Sequence, residues 1–392
     1  MQTEPHSPLL AGFDHQPHTR LVFGAGCVGQ VGKLAAELNA RRVLVVTDRG
    51  LVTAGHAVCV EHALQRAGLG AIIYDQVREN PTTRDVDACV AVARAAGIDL
   101  IVGLGGGSSM DTAKGANFIL TNGGRMSDYW GVGKATKPML PLIAIPTTAG
   151  TGSECQSAAL IADEVTHQKM ACLDPKAAAR VALLDPELTL SMPPRVTACT
   201  GIDAIAHAVE TAVTRKRTPL SAMYSREAFR LTVAGLARVL ADPLDLEARG
   251  QMLLGAAFAG TAIENSMLGA VHSAANPLTA HFNIIHGQAI GLMLPVVVRF
   301  NAQDRAALLA YAQLIGVSAT AGDEPGRVCD ALVEQLERLL SVASMPRSLA
   351  ECGVPRSAIP MLAEEAARQW TASFNPRQVT VEDFVSLYGA AF

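Results

Sequence analysis

Four short apolar runs, at 43–47, 71–74, 100–103 and 142–145, each follow a stretch spaced like an amphipathic helix. The helical stretches fall at 28–38, 54–67 and 84–96, with a fourth starting near Asp111. A helix between two strands returns the chain to the same end of a sheet, which a two-residue turn cannot do. The pattern therefore predicts an α/β fold, a Rossmann-like parallel sheet with helices on both faces. Past residue 190 strand-like runs become scarce. Ala/Leu-rich segments of helical period take over at 219–240, 246–264 and 304–315. The segment SMPPR at 191–195 reads as the junction, giving an α/β domain over 1–190 and an all-α domain over 191–392.

Composition narrows what such a chain does. With 392 residues, 49% hydrophobic and 17% charged, it can bury two cores of ordinary size. A net charge of −4 and no long basic run offer no field for nucleic acid or an anionic membrane surface. No stretch approaches the roughly 18–20 apolar residues of a membrane helix. Residues 1–18 are polar and lack the apolar core of an export signal. The eight cysteines contain no CxxC pair and read as reduced thiols, so a cytoplasmic location is expected.

Glycine-rich turns carry the next signal. GAGCVG at 24–29 fits the GxGxxG dinucleotide pattern, and fits a plain tight turn equally well. GGGSSMD at 105–111 directly follows the run at 100–103. Its glycines let the backbone approach a pyrophosphate, the amides of the next helix face the anion, and Asp111 falls where a carboxylate caps the first turn. PTTAGTGS at 146–153 follows the run at 142–145 and offers four hydroxyls. Two such loops after strands of one sheet suit a nucleotide at its carboxyl end. Asp48, just past 43–47, can accept from ribose hydroxyls and would repel a 2′-phosphate, which favours NAD over NADP.

Asp203 and His207 stand four residues apart on one predicted helix face. Such a pair alone reads as structural. His272 and His286 add two imidazoles, but fourteen residues of straight helix would separate them by about 21 Å. Only a chain reversal brings them together, and Pro277 or Asn283 offers the break; the residues permit convergence without forcing it. Three imidazoles and one carboxylate suit Fe²⁺ or Zn²⁺. Such an ion can polarise an alcohol oxygen and ease hydride transfer to a neighbouring nicotinamide.

The ordered motifs GGGSSMDTAK (105–114), PTTAGTGSE (146–154), DPELT (185–189), TGIDAIAHAVE (200–210), HSAANPLTAHFNIIHG (272–287) and the closing NPRQVTVEDFVSLYGAAF (375–392) resemble the iron-containing (group III) alcohol dehydrogenases. The resemblance spans essentially the whole chain. It implies an NAD-binding domain followed by a helical domain, with the active site in the cleft between them. It gives the ligand roles to Asp203, His207, His272 and His286. Gly106, Gly107 and Ser108 become pyrophosphate contacts, with Asp111 nearby; Thr147, Thr148, Thr151, Lys169 and, more weakly, Asn80 become cofactor contacts, and Asp48 the ribose selector. It also removes the phosphate role from 24–29.

One departure bears on mechanism. Members often carry a histidine four residues after the third ligand; here that position is Asn276, which cannot titrate near neutral pH. The proton is then expected to leave through water and ribose hydroxyls, or through His281. Ile263 stands where relatives can have an aromatic, and Trp370 reads as a core residue that can instead line the substrate channel. The expected activity is reversible hydride transfer between a primary alcohol or aldehyde and NAD, with the alkoxide on a divalent metal, Fe²⁺ ahead of Zn²⁺. The expected assembly is a homodimer or larger. Rivals on the same fold are a glycerol-type polyol dehydrogenase, a maleylacetate-type reductase and a hydroxyacid–oxoacid transhydrogenase. From other classes come a dehydroquinate synthase-like lyase and a non-catalytic NAD-binding or filament-forming protein.

Overall fold

The computed structural model describes residues 12–166, 168–317 and 325–392, so most of the N-terminal stretch read for an export signal lies outside the described residues. The chain divides into two compact units. One is Gln16–Met192; the other is Pro193–Phe392 with the described residues ahead of Gln16.

In the first unit, β1 (Arg20–Phe23), β2 (Arg42–Val46), β3 (Gly70–Tyr74), β4 (Leu100–Gly105), β6 (Leu142–Pro146) and β9 (Val181–Leu184) form one parallel sheet in the order β1-β9-β6-β4-β2-β3. The helices α1 (Val31–Glu37), α2 (Arg49–Thr53), α3 (His56–Arg66), α4 (Thr83–Ala96) and α5 (Gly107–Asn122) connect them. Alternation along the strands divides the core. Leu44, Val46, Ile101, Leu142 and Ala144 point to one face and join α4 and α5 side chains. Val43, Val45, Leu100, Val102, Ile143 and Ile145 point to the other and join α1 and α3 side chains. Burial on both faces explains why these strands read as continuous apolar runs.

Boundaries are set by local chemistry. Thr82 and Asp85 form a reciprocal capping box at the start of α4, and Gly97, in the left-handed region, ends it before β4. A second, small sheet holds β5 (Gly131–Val132), β8 (Lys169–Leu173) and β7 (Ala158–Ala162), with β7 and β8 an antiparallel pair. Neither this sheet nor β1 and β9 was expected from the four apolar runs. α5 begins at Gly107 rather than near Asp111, so Asp111 is its fifth residue and does not cap it. The 24–29 loop opens a single 3-10 turn, Cys27–Gln30, ahead of α1.

The second unit is helical throughout its described residues: α6 (Pro194–Thr211), α7 (Pro219–Ala241), α8 (Leu246–Glu264), α9 (Ala270–Phe282), α10 (His286–Asn301), α11 (Arg305–Ile315), α12 (Pro325–Val342), α13 (Ile359–Arg368) and α14 (Val381–Ala390). From Ile202 to Thr211 every residue of α6 is buried, and the helices around it approach through glycines. A Cβ on Gly201 would lie 2.6 Å from Leu236 Cδ1, and one on Gly287 only 2.1 Å from the Cys199 carbonyl oxygen. α9 continues through Pro277; the chain turns instead at Asn283, the αL C-cap with φ +51°. Among the described residues no helix is long and apolar enough to cross a membrane. All eight cysteines are free, six of them buried.

Gly287→Ala is expected to destabilise the protein by about 2–3 kcal/mol, because the clash is backbone to backbone and no side chain can give way. A Cβ on Gly389 meets nothing within 4 Å. Gly389→Ala should therefore change stability by no more than about 1 kcal/mol. Denaturant unfolding of the pair checks this; equal stabilities would refute the close approach.

Candidate metal centre and phosphate loops

Asp203 and His207 lie one turn apart on the buried face of α6. His272 is the third residue of α9 and His286 the first of α10. The four residues from Phe282 to His286 can span up to about 14 Å when extended. That return brings the His272 and His286 rings to 5.5 Å between centroids, while the His207 and His272 rings stack at 4.8 Å. Asp203 Oδ1 faces the Nε2 atoms of His272 at 3.3 Å, His207 at 3.4 Å and His286 at 3.6 Å. Donor atoms of Asp203, His207 and His272 all lie within 4.8 Å of one another, and all three residues are buried. The His286 side chain keeps 39% of its surface exposed.

These spacings fit a cation. A tetrahedral ion with N and O donors at about 2.1 Å has edges of about 3.4 Å between donors. Asp203 Oδ1 and His272 Nε2 are buried, and neither makes a well-formed hydrogen bond. Burial raises the Asp203 carboxyl, but the imidazoles of His207, His272 and His286 outweigh it and hold it below the ordinary carboxylate range. Burial alone would lower His272; the carboxylates of Glu210 and Asp203 reverse this and push it up to about 9. The cluster thus attracts positive charge, from protons or from a metal.

Glu210 was missed in the sequence. It lies on α6 one turn past His207, buried, with Oε2 against His272 Nδ1. Its signal was the i+3 spacing from His207, which on an isolated helix is indistinguishable from a solvated acid. Asn276, one turn beyond His272, donates from Nδ2 to Gln369 Oε1 at 3.2 Å. His281 is about two and a half turns along α9 from His272. Its Nε2 meets Glu365 Oε2 at 2.8 Å on the exposed side. Ile263 is buried, whereas Trp370 is 42% exposed and edge-on to Phe374, not the core residue expected.

The first unit holds the expected cofactor residues. β4 and β6 are neighbours, so their carboxyl-end loops meet. Gly106 is the N-cap of α5; a Cβ there would lie 3.2 Å from Thr148 Cγ2, and one on Gly107 3.0 Å from Thr151 Cγ2. Gly105 has φ +145°, and a Cβ would sit 2.3 Å from Ser109 Oγ. Thr147 N donates to Gly105 O at 3.0 Å, and Ser108 O accepts from Thr112 Oγ1 at 2.8 Å. The amides opening α5 stand beside threonines with no side chain between. Asp48 caps α2, accepting from Leu51 N at 3.1 Å, and Asn80 is exposed with φ +52°. Burial raises Asp111 to about 6, opposed by Lys114, Lys169 and a hydrogen bond from the Leu160 backbone. Its carboxyl therefore serves the β7–β8 side rather than the helix start.

Lys114 was also overlooked, although it closes the 105–114 motif. Fully buried, its Nζ donates to Ser153 O (2.6 Å), Ser153 Oγ (3.0 Å), Gln156 O (2.7 Å) and Ala158 O (3.1 Å), fixing the segment after 147–151. The 24–29 loop is different: its Gly26 and Val28 amides donate to buried Asp185, at 3.1 and 2.9 Å, so an internal carboxylate takes up those donors.

Glu154, buried in the same segment, is raised to about 7 by desolvation, against a backbone hydrogen bond and Lys114. A raised carboxyl contributes stability that is complete below its unfolded value of 4.5 and lost as pH rises through about 7. Glu154→Gln should remove this slope. At pH 8 it should be more stable than the parent by up to about 3 kcal/mol, a few °C in Tm, with little difference at pH 4. Thermal melts across pH decide it; parallel profiles would refute the assignment.

Comparison with known proteins agrees along the whole chain. The family model "Iron-containing alcohol dehydrogenase" matches residues 18–186, and "Fe-containing alcohol dehydrogenase family, C-terminal" matches 197–392. The NAD-dependent methanol dehydrogenase of Bacillus methanolicus is 35% identical over 367 residues, covering 93% of this chain and 96% of that protein. An alcohol dehydrogenase from Oenococcus oeni superposes with a TM-score of 0.92 at 30% identity, covering 97% of this chain and 100% of that one. Sulfoacetaldehyde reductase from Bifidobacterium kashiwanohense, solved in complex with NAD+, superposes with a TM-score of 0.87 at 27% identity, covering 97% of this chain and 98% of that one.

Proposed function

The chain belongs to the iron-containing alcohol dehydrogenase family, and from that premise we propose that it moves a hydride reversibly between a primary alcohol or its aldehyde and NAD. The observation that carries this reading is the convergence of three imidazole Nε2 atoms within 3.3–3.6 Å of one buried carboxylate oxygen. Asp203, His207, His272 and His286 would hold a divalent ion, Fe²⁺ in keeping with the family or Zn²⁺ on the same donors. Such an ion supplies Lewis acidity that lowers the pKa of an alcohol hydroxyl, making it the better hydride donor.

The chain's own residues do the rest. Asp203 brings one negative charge among three neutral imidazoles, so a divalent ion keeps net positive charge toward an oxygen ligand. The Gly106, Gly107 and Ser108 amides, which open α5, receive the diphosphate, and Thr147, Thr148 and Thr151 add hydroxyls beside it. Lys169, whose ammonium acts on Asp111, and Asn80 are outlying contacts, and Asp48 accepts from the adenosine ribose and disfavours a 2′-phosphate. Asn276 is held by Gln369 and carries no titratable proton. With His281 committed to Glu365, the hydroxyl proton leaves through water and the ribose hydroxyls. We take the working enzyme to be cytoplasmic, in keeping with its free cysteines, and a homodimer or larger assembly, which light scattering measures.

Anaerobic reconstitution with Fe²⁺ or Zn²⁺, followed by NADH absorbance against a panel of primary alcohols and aldehydes, tests the proposal. Turnover with at least one substrate is expected. Asp203→Asn and His272→Ala should each lower kcat/KM by about 100-fold or more while remaining folded. No turnover with either metal, or full activity in His272→Ala, sinks it.

A further inference from the structure

The carboxylate of Glu210 is shared between a helix and a ring. Oε1 accepts from Gly269 N at 3.0 Å and Val271 N at 2.8 Å, the opening amides of α9. Oε2 meets Nδ1 of His272, the third residue of the same helix. Asn375 Oδ1 takes the intervening Ala270 N at 3.2 Å. The junction has no spare room: a Cβ on Gly269 would lie 2.9 Å from Asn375 Oδ1 and 3.3 Å from Glu210 Oε1.

A carboxylate only accepts, so the ring atom facing it must donate. A neutral imidazole has one N–H; with that hydrogen at Nδ1, Nε2 presents its lone pair. Nε2 is the atom 3.3 Å from Asp203 Oδ1. We propose that Glu210 is the positioning residue of the metal centre. By one carboxylate it fixes the ring orientation and tautomer of His272 and anchors the helix that delivers it. Because α6 also carries Asp203 and His207, one helix then sets three of the four donors. The inference rests on the cation reading above.

Glu210→Gln separates this role from simple helix capping. The amide oxygen can still accept from Gly269 N and Val271 N, but its NH₂ turns a donor toward Nδ1. The ring then carries its hydrogen on Nε2, where the cation needs a lone pair. Zn²⁺ affinity, measured by chelator competition, should fall about 10–100-fold, while the metal-free protein melts within about 2 °C of the parent. A second measurement needs no variant: in the Zn²⁺-loaded parent, ¹⁵N-resolved spectra should place the His272 ring proton on Nδ1. Parent-like Zn²⁺ affinity in Glu210→Gln, or His272 ligating through Nδ1, overturns the inference and leaves Glu210 a cap. A parent that takes up no Zn²⁺ overturns the cation reading itself.

Discussion

Two carboxylates, Asp203 and Glu210, are carried into the helical core by one buried helix, and the second unit is organised around compensating them. An isolated buried carboxylate costs several kcal/mol unless charge and hydrogen bonds replace its water. Glu210 meets that demand with two backbone amides and an imidazole. Asp203 meets it with three imidazoles drawn from α6, α9 and α10. Neutral imidazoles do not balance two negative charges, so the cluster is complete only with protons or a cation. That incompleteness separates a binding centre from a buried polar network: a structural network would satisfy Asp203 Oδ1 from within.

The first unit solves the opposite problem. Under the function proposed above, the loop at 105–108 presents backbone donors to an anion, which needs amides not taken up by internal acceptors. At 24–29 the fold does the reverse, with Asp185 filling the turn. At 106 and 107 a Cβ would crowd the side chains of Thr148 and Thr151, so the close approach requires glycine there. Two loops alike in sequence thus differ, since an internal carboxylate takes up amides of the first. Lys114 keeps the second loop in place from behind, four acceptors around one buried ammonium. A lysine buried this deeply is tolerable only when its donors are this fully used.

What the sequence made legible follows the range of the interaction. β2, β4 and β6 were visible because burial on both faces leaves unbroken apolar runs, and the edge strand β3 through its β-branched run. The edge strand β1, with mixed exposure, escaped, as did β9, whose four residues are buried. The start of α5 was misplaced because Gly107 and the serines after it are poor helix formers in isolation. Asp203 and His207 stood out through their spacing, whereas joining them to His272 and His286 needed a turn the sequence could not place. The sequence left the break open between Pro277 and Asn283; a proline within a helix can bend it without ending it, and Asn283 reverses the chain by adopting a left-handed conformation few residues accept. Glu210 and Lys114 were hidden for a common reason. Most of their partners are backbone atoms far along the chain, and backbone acceptors and donors leave no trace in residue identity.

Packing and ligation meet in one dipeptide. His286 is the first residue of α10, and Gly287, the second, lies against the Cys199 backbone of α6, four residues before Asp203. The approach of these two helices therefore fixes how far the His286 imidazole stands from the carboxylate it faces. A larger residue at 287 would move His286 as well as loosen the core, since no rotamer of His286 restores a displaced backbone. The position of the His286 imidazole is a consequence of helix packing at the same point, so the glycine bears on the proposed cation site although it offers no donor to it.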